Sequence, residues 1–480
     1  MVRDSRNGWK NRTARITGGD QMELIISNEI RIREATPEVV QYCRDNLVFL
    51  NPEYQLRQRR GMWLGNTPQY IYLYQVDGAV TYVPCGTGKH LRQFLGESRV
   101  TTDLADNGQI EYSGSVPLYD YQAPAVEAMA SYGCGILQSP CGSGKTQMGI
   151  ALAACLRRKA LWVTHTKDLL TQSFERARQY FPAEQLGTIT EGHVSIGSHI
   201  TFATVQTLSK LDLTQYKYTW DVVIVDECHR VAGTPTQVTM FYRVISSLAA
   251  RYKFGLSATV RRSDGLIKTT FAILGDIAYQ VPDEAVKDKT MQVRILRRDT
   301  GVLTDRSCLD TDGTLVYSSL LSYLAGNRKR NELIGADLAH NSDHYNLVLS
   351  DRLEHLRALQ ELLPDKLRAV SAMIDGSMTS KRARAERERA IEDMRAGRKH
   401  YLFASYALAK EGLDIPRLDR LYMVTPKKDY SVVTQSIGRI ARVFEGKEEA
   451  VCYDYVDDIQ FCENQWKRRR AHYRKARCIL

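Results

Sequence analysis

After Pro117 the chain alternates between short apolar runs and amphipathic stretches. Gly135-Ile-Leu-Gln, Ala160-Leu-Trp-Val-Thr, Ile200-Thr-Phe-Ala-Thr and Asp221-Val-Val-Ile-Val are the runs. Such runs are the pattern of strands buried on both faces of a parallel sheet. Helical stretches separate them, so a doubly wound α/β domain is expected over about 113–285. A polar stretch rich in Asp, Arg and Lys follows, about Pro282 to Asp312. A second series then runs through Asn346-Leu-Val-Leu-Ser, Tyr401-Leu-Phe-Ala-Ser, Leu421-Tyr-Met-Val-Thr and Val451-Cys-Tyr-Asp-Tyr. It predicts a second α/β domain over about 286–462. Residues 1–112 contain Tyr70-Ile-Tyr-Leu-Tyr, Ala79-Val-Thr-Tyr-Val and helical periodicity near Pro37 to Leu50, which suits a small α/β accessory domain. Two similar blocks in tandem point to a ligand bound at the cleft they form.

The 480 residues carry a net charge of +11. Seven of those charges lie from Lys467 onward, in a stretch without acidic residues, so 463–480 reads as a basic tail. A basic run suits phosphate backbones, a solvated helix end or a localisation signal. No apolar run approaches the ~18 residues that span a bilayer. Met1 to Asp20 is polar and lacks the apolar stretch of a signal peptide. The expectation is a soluble protein with no membrane partner, cytoplasmic in a bacterial or virus-infected cell and nuclear in a eukaryote. None of the ten cysteines forms a CxxC pair, so reduced packing residues are expected rather than a metal centre.

Three motifs carry chemistry. Ser139-Pro-Cys-Gly-Ser-Gly-Lys-Thr146 follows a strand-like run and opens a helix, the context of a phosphate-binding loop. Gly142, Ser143 and Gly144 would turn backbone N–H groups onto phosphate oxygens, Lys145 would reach the β and γ phosphates, and Thr146 would hold Mg²⁺. Cys85-Gly-Thr-Gly-Lys-His90 mimics this loop but lacks the hydroxyl after its lysine, so it reads as a Gly-rich turn. Val222-Val-Ile-Val-Asp-Glu-Cys-His229 sets two carboxylates at the end of a buried strand. There Asp226 would coordinate Mg²⁺ and Glu227 would polarise the attacking water. In Gln435-Ser-Ile-Gly-Arg-Ile-Ala-Arg442, Arg439 and Arg442 share a helix face at i, i+3 and could stabilise charge on a γ-phosphate. ATP and Mg²⁺ are therefore the expected cofactors.

In order and content these motifs resemble those of superfamily 2 helicases, over about Pro117 to Asp458. Tyr119-Asp-Tyr-Gln122 looks like the adenine-reading Q motif, with Gln122 as the base contact. Val163 to Gln172 and Thr204-Val-Gln-Thr207 look like motifs along a bound strand. Ser257-Ala-Thr259 is similar to the motif that links ATP state to strand grip. Leu347 to Arg352 and Ser405 to Pro416 look like motifs IV and V. The resemblance implies two RecA-like domains. It implies nucleic-acid contacts at Thr166, Thr204, Gln206, Ser350, Arg352 and Ser405, and nucleotide contacts at Gly412 and Asp414. It also implies coupling through His229, Ser257, Thr259 and Gln435. Asp is absent from positions 228 and 229, unlike in the DEAD-box RNA helicases. Gly255 to Gly265, Asp351 to His355 and Glu411 to Leu418 resemble the XPB-like and phage UvsW-like DNA helicase branch. Val260 stands where that branch usually has Pro, and Cys141 where it has Thr. The branch implies DNA, bound with low sequence specificity, and 3′-to-5′ movement. RNA helicase, duplex remodeller and restriction-type motor subunit are the alternatives.

In the accessory block, Tyr70, Tyr72 and Tyr74 alternate and so share one strand face. With Tyr82 and Arg57, Arg59 and Arg60 they could stack bases and contact phosphates. The expectation preferred here is that this face packs into the block's own core.

Overall fold

The computed structural model describes residues 22–480 apart from Glu97, Cys141, 232–234, Thr259, 261–265, Asp283, 287–289, Ser377, Thr379, Glu411 and Gly412, with backbone only for 235–239, Lys381, 409–410 and Ser431. The chain divides into two compact units, Met1–Ala285 and Val286–Leu480. Among the described residues no helix is long and apolar enough to cross a membrane.

The first unit is built on an eight-stranded sheet. Its order is His193–Ser195, Leu186–Thr190, Ile200–Thr204, Ala160–Thr164, Val222–Val225, Tyr252–Ser257, Cys134–Gln138 and Ile277–Gln280. Every neighbouring pair is parallel except the first. The central strands are buried along their whole length, as their unbroken apolar runs require. Helix Lys145–Leu156 packs on this sheet, and Gly149 permits the approach: a Cβ there would meet Leu256 and the Trp162 ring at 2.6–2.7 Å.

Ahead of that sheet lies a five-stranded one, ordered Gln75–Asp77, Val80–Val83, Ile30–Arg33, Glu23–Ile26, Arg99–Thr102. The block does not close its own core. Leu266 and Ala272 of the following domain join Leu24, Ile32, Val39 and Leu91 in one cluster. The loop that mimics a phosphate loop is a docking element. A Cβ at Gly86 would run into backbone atoms of Gly275, Ala272 and Phe271, so only glycine allows the contact. His90, four residues on, places Nε2 2.7 Å from Asp276 Oδ2. Lys253, 3% exposed, donates to Asn28 O at 2.9 Å. A buried ammonium needs such acceptors, and the accessory block supplies this one.

One expectation about this block is corrected. Tyr70 and Tyr72 do not pack inward: they are 41% and 59% exposed, whereas Ile71 and Leu73 are buried. Ile71 and its partner Phe49 take the core face of the antiparallel pair Val48–Leu50/Tyr70–Tyr72, which leaves Tyr70 and Tyr72 outside with Leu50. Their rings form a ladder, with 6.4 Å between Tyr70 and Tyr72 and 6.5 Å between Tyr72 and Tyr74. Helix Pro52–Arg59 buries nothing, and Arg59 and Arg60 are exposed beside Arg57, which pairs with Glu53.

The second unit carries a six-stranded parallel sheet, ordered Val293–Asp299, Ala450–Val456, Arg420–Met423, Asn346–Ser350, Tyr401–Ser405, Ser371–Ile374. Its first strand lies inside the stretch that reads as a polar spacer. Val293 and Ile295 point inward while Arg294 is exposed, so this edge strand alternates and lacks the apolar run of an inner one. Ile479 covers the open edge through bonds with Val293 O and Ile295 N.

The basic tail is also more than a solvated run. Helix Gln460–Lys475 packs on the sheet and buries Arg469. Arg469 makes a two-pronged pair with Asp454 at 2.7 and 2.8 Å and donates to Lys427 O at 2.7 Å. The other six basic residues of the tail are exposed.

Candidate nucleotide-hydrolysis site

The phosphate loop joins strand Cys134–Gln138 to helix Lys145–Leu156. Gly142 and Gly144 adopt φ of +82° and +77°, the left-handed region in which glycine is unstrained. Gly144 is the N-cap of the helix, so free N–H groups and the positive end of the helix dipole face the loop. Ser139, at the position that is usually glycine, holds the loop from inside: its Oγ donates to Ser143 Oγ at 2.5 Å, and Ser143 Oγ donates to Pro140 O at 2.7 Å. Cys141 and Thr259 lie outside the described residues, as does Gly412.

Gln122 is placed differently from the expectation of a base contact. It is fully buried, its Oε1 accepts from Tyr119 N at 2.9 Å, and its Nε2 donates to Ser143 O at 2.8 Å. Tyr121 OH reaches the same carbonyl at 2.9 Å. Both ends of the amide are engaged, so Gln122 acts as a strut under the loop. A Cβ at Gly144 would meet its Nε2 at 2.5 Å, which gives that glycine a second reason.

Strand Val222–Val225 delivers the acidic pair beside this loop. Asp226 N donates to Val163 O at 2.9 Å, which extends the sheet by one residue, and the chain then turns sharply. Glu227 makes the turn at φ +47°, a left-handed conformation that costs a non-glycine residue about 1 kcal/mol. Cys228 folds under it against Gly255, where a Cβ would meet Cys228 Sγ at 2.7 Å. The opposing strand therefore needs glycine there for the acidic turn to seat.

Asp226 is buried, and that burial, with the Glu227 charge beside it, pushes its carboxyl well up from the ordinary range. Glu227 moves the other way: against its own burial, Lys145 and then His229 hold it down. Two largely buried carboxyls this close carry an excess of negative charge, which Lys145 offsets in part. A divalent cation held by Asp226 would relieve it, and the glycine loop with Lys145 supplies an anion cradle. The residues present fit a magnesium nucleotide. Thr146 stands next to Lys145 on the first helical turn, half-buried.

His229 connects this site to the neighbouring strand. Its Nδ1 lies 3.0 Å from Ser257 Oγ and 3.2 Å from Glu227 Oε2. Ser139 N in turn donates to Ser257 O at 3.0 Å. Ser257 therefore touches both the acidic turn and the phosphate loop. Two contributors escaped the sequence reading: Ser173, whose side chain hydrogen-bonds Asp226, and Tyr121. Ser173 shares the buried face of its helix with Leu170 and Ala177, a spacing any packed residue shows, and Tyr121 lies inside the Tyr119–Gln122 motif without being singled out.

Among the expected strand contacts, Gln206 and Thr166 converge on one loop. Gln206 Nε2 donates to His165 O at 2.7 Å, and Thr166 caps helix Lys167–Arg178 through Leu169 N. Thr204 is turned inward: 5% exposed, it bonds Thr207 Oγ1 at 2.9 Å. In the second unit Ser350 is fully buried and is occupied by Arg352 N at 3.0 Å and His355 Nδ1 at 3.3 Å. Both hydroxyls are engaged by neighbours within five residues along the chain, so Thr204 and Ser350 are turned away from a ligand here. Arg352 donates to Ser318 O at 2.8 Å, and Ser405, half-buried, accepts from Leu408 N at 3.5 Å.

Helix Tyr430–Ile440 carries Gln435 and Arg439, and Arg442 follows it. Arg439 Nη1 donates to Leu413 O at 2.9 Å, and Arg442 pairs with Asp414. Gln435 is 6% exposed. The structure thus gathers both arginines, Gln435's helix and Asp414 within the second unit.

The comparisons agree with this architecture. Residues 115–262 match the model of the type III restriction enzyme res subunit, and residues 328–444 match that of the helicase conserved C-terminal domain. A protein of Acanthamoeba polyphaga mimivirus, named as an ATP-dependent RNA helicase (L396), is 26% identical over 73% of this chain and 65% of its own. The chain thus spans just under two thirds of that relative. The DNA 3′-5′ translocase XPB2 of Sulfurisphaera tokodaii is 25% identical over 71% of this chain and 82% of its own. The DNA-bound structure of the ATP-dependent type ISP restriction-modification enzyme LlaBIII aligns with a TM-score of 0.53 at 16% identity. It covers 76% of this chain and 30% of the enzyme, and it shares the fold. With a phosphate loop and an acidic strand end in one α/β unit, and the arginine helix in another, this chain belongs to the superfamily 2 helicases.

Proposed function

We propose that the protein is an ATP-driven motor that moves 3′-to-5′ along DNA and remodels or unwinds it. The observation that carries the reading is the largely buried acidic pair Asp226–Glu227 at the end of Val222–Val225, with Lys145 facing it beside the anion cradle of Gly142 and Gly144. DNA as the track, and the polarity, draw on the name of the Sulfurisphaera relative.

Magnesium ATP, when bound, supplies an electrophilic γ-phosphorus with its charge partly neutralised. Lys145 and the loop N–H groups would hold the phosphates, while Thr146 and Asp226 would hold the metal. Glu227, ionised, orients water and accepts its proton. In this reading Arg439 and Arg442 provide the remaining positive charge. His229 and Ser257 pass the state of the acidic turn to strand Tyr252–Ser257. Thr166, Gln206, Arg352 and Ser405 remain the proposed strand contacts, and the exposed Tyr70–Tyr72 ladder adds a stacking surface. Backbone contacts dominate such gripping, so sequence specificity is low.

The test compares ATP turnover with single-stranded DNA, duplex DNA and RNA, then assays unwinding of duplexes bearing only a 3′ or only a 5′ tail. Stimulation by DNA and action from the 3′ tail are expected. Stimulation by RNA alone would replace the track, the second reading that the mimivirus relative's name favours.

A further inference from the structure

Lys447 lies outside the proposed hydrolysis residues, yet its amine is committed at three points. After Arg442 the chain makes a tight turn, with Lys447 N bonded to Phe444 O at 3.1 Å and Gly446 at φ +77°. This turn sends the lysine back under its own helix. Nζ donates to Ile440 O at 2.6 Å, Leu418 O at 2.6 Å and Arg442 O at 2.8 Å. Ile440 O is one of the orphan carbonyls at a helix C-terminus, where a cation is favoured. Leu418 ends the segment that also presents Asp414, the partner of Arg442. On the other side Met291 N donates to Ala441 O at 2.7 Å.

We propose that Lys447 is a positioning residue for Arg442: its ammonium clamps the turn that carries Arg442 onto the segment that carries Asp414, and so fixes where the guanidinium is presented. This rests on the reading of Arg442 as a hydrolysis residue. An ammonium has three donors, one for each carbonyl, whereas a neutral amine has two and turns a lone pair toward the third. The clamp is complete only in the charged form. Burial pushes this amine down, Asp419 opposes, and Arg442 and Arg420 add to the fall, leaving it at about 8. Asp419 is itself bonded by His344 and Tyr345 N, and Arg420 by His344 and Glu449. Arg417, over the Phe444 ring of the same turn, is a further charge on this side.

The experiment measures kcat and KM for ATP, with saturating single-stranded DNA, in full-length wild type, Lys447→Met, Lys447→Arg and Arg442→Ala from pH 7 to 9.5. Lys447→Met is expected to lower kcat roughly 10- to 100-fold, as a misplaced catalytic group does, with little change in KM. Lys447→Arg keeps donors that do not titrate in this range, so it is expected to retain turnover and to lack the decline above pH 8 expected of wild type. Wild-type kcat in Lys447→Met, or equal losses in the Met and Arg variants, overturns the proposal. If circular dichroism shows Lys447→Met unfolded, the alkaline limb of Lys447→Arg decides: the same limb as wild type overturns it, and loss of the limb supports it. Arg442→Ala separates the two readings. Full turnover there removes the hydrolysis role of Arg442, whereas lost turnover there beside intact Lys447→Met removes only the clamp.

Discussion

Arg469 stands among basic residues that suit a nucleic-acid track, and replacing it tests whether its role is structural. Its side chain is 2% exposed and that of its partner Asp454 is 1% exposed. Arg469→Met keeps the aliphatic volume and removes both prongs of the pair and the bond to Lys427 O. Asp454 is then left with the Tyr473 hydroxyl at 2.5 Å, inside a sheet. Removing one partner of a buried pair costs about 3–5 kcal/mol, because the other charge stays uncompensated. With a urea slope of about 2 kcal/mol/M, the midpoint of the second unit should fall by about 2 M. Trp466, the one tryptophan after Trp220, lies beside Arg469, so its fluorescence follows that unit. Replacing Asp454 with Leu as well should recover much of the loss, since no charge is then stranded. A midpoint shift below about 0.5 M in Arg469→Met would refute the argument from burial. By contrast, Arg468→Ala and Arg470→Ala, at exposed positions, should leave the midpoint unchanged within about 0.5 kcal/mol.

Three further outcomes follow from the geometry. Glu227→Gln should keep nucleotide binding and lower turnover by roughly 100-fold or more, the scale of a lost general base; a variant with wild-type turnover removes Glu227 from that role. His355 is buried between Ser350 and Asn331, and burial, then Arg330, pushes its imidazole down to about 3. Its folded value lies below the unfolded one, so the unfolded chain takes up the proton first and stability falls as pH drops from about 6.5 toward 3. Between pH 7 and 5 this amounts to about 2 kcal/mol, and His355→Gln should remove that slope from urea midpoints of the second unit. Gly86→Ala should destabilise the first unit by about 1–3 kcal/mol by prising the docking turn from Gly275, measured as a lower melting temperature; an unchanged melt denies the close approach.

The legible parts of this protein were those in which local sequence and chemistry coincide. An apolar run ending in Asp226-Glu227 has only one way to sit in a parallel sheet, and a loop with Gly142 and Gly144 before Lys145 has only one common use. Strand Val293–Asp299 stayed hidden because an edge strand alternates and looks polar. The accessory block read as separate because its periodicity is complete, while its missing core residues, Leu266 and Ala272, come from about 170 residues downstream of the block's last core position, Leu95. Gln122 matched a base-reading motif, yet its amide supports the phosphate loop.

The sequence alone determined the strand–loop–helix grammar, the identity of the phosphate-binding and acidic motifs, and through them the family. Only tertiary structure decided which polar atoms remain available. It buried the Ser350 and Thr204 hydroxyls, turned Tyr70 and Tyr72 outward, drew Arg469 into the sheet and folded Lys447 back under the Arg442 turn. The division has a physical cause. Backbone geometry and hydrophobic periodicity act over a few residues, whereas the exposure and charge state of a side chain depend on what distant segments pack against it.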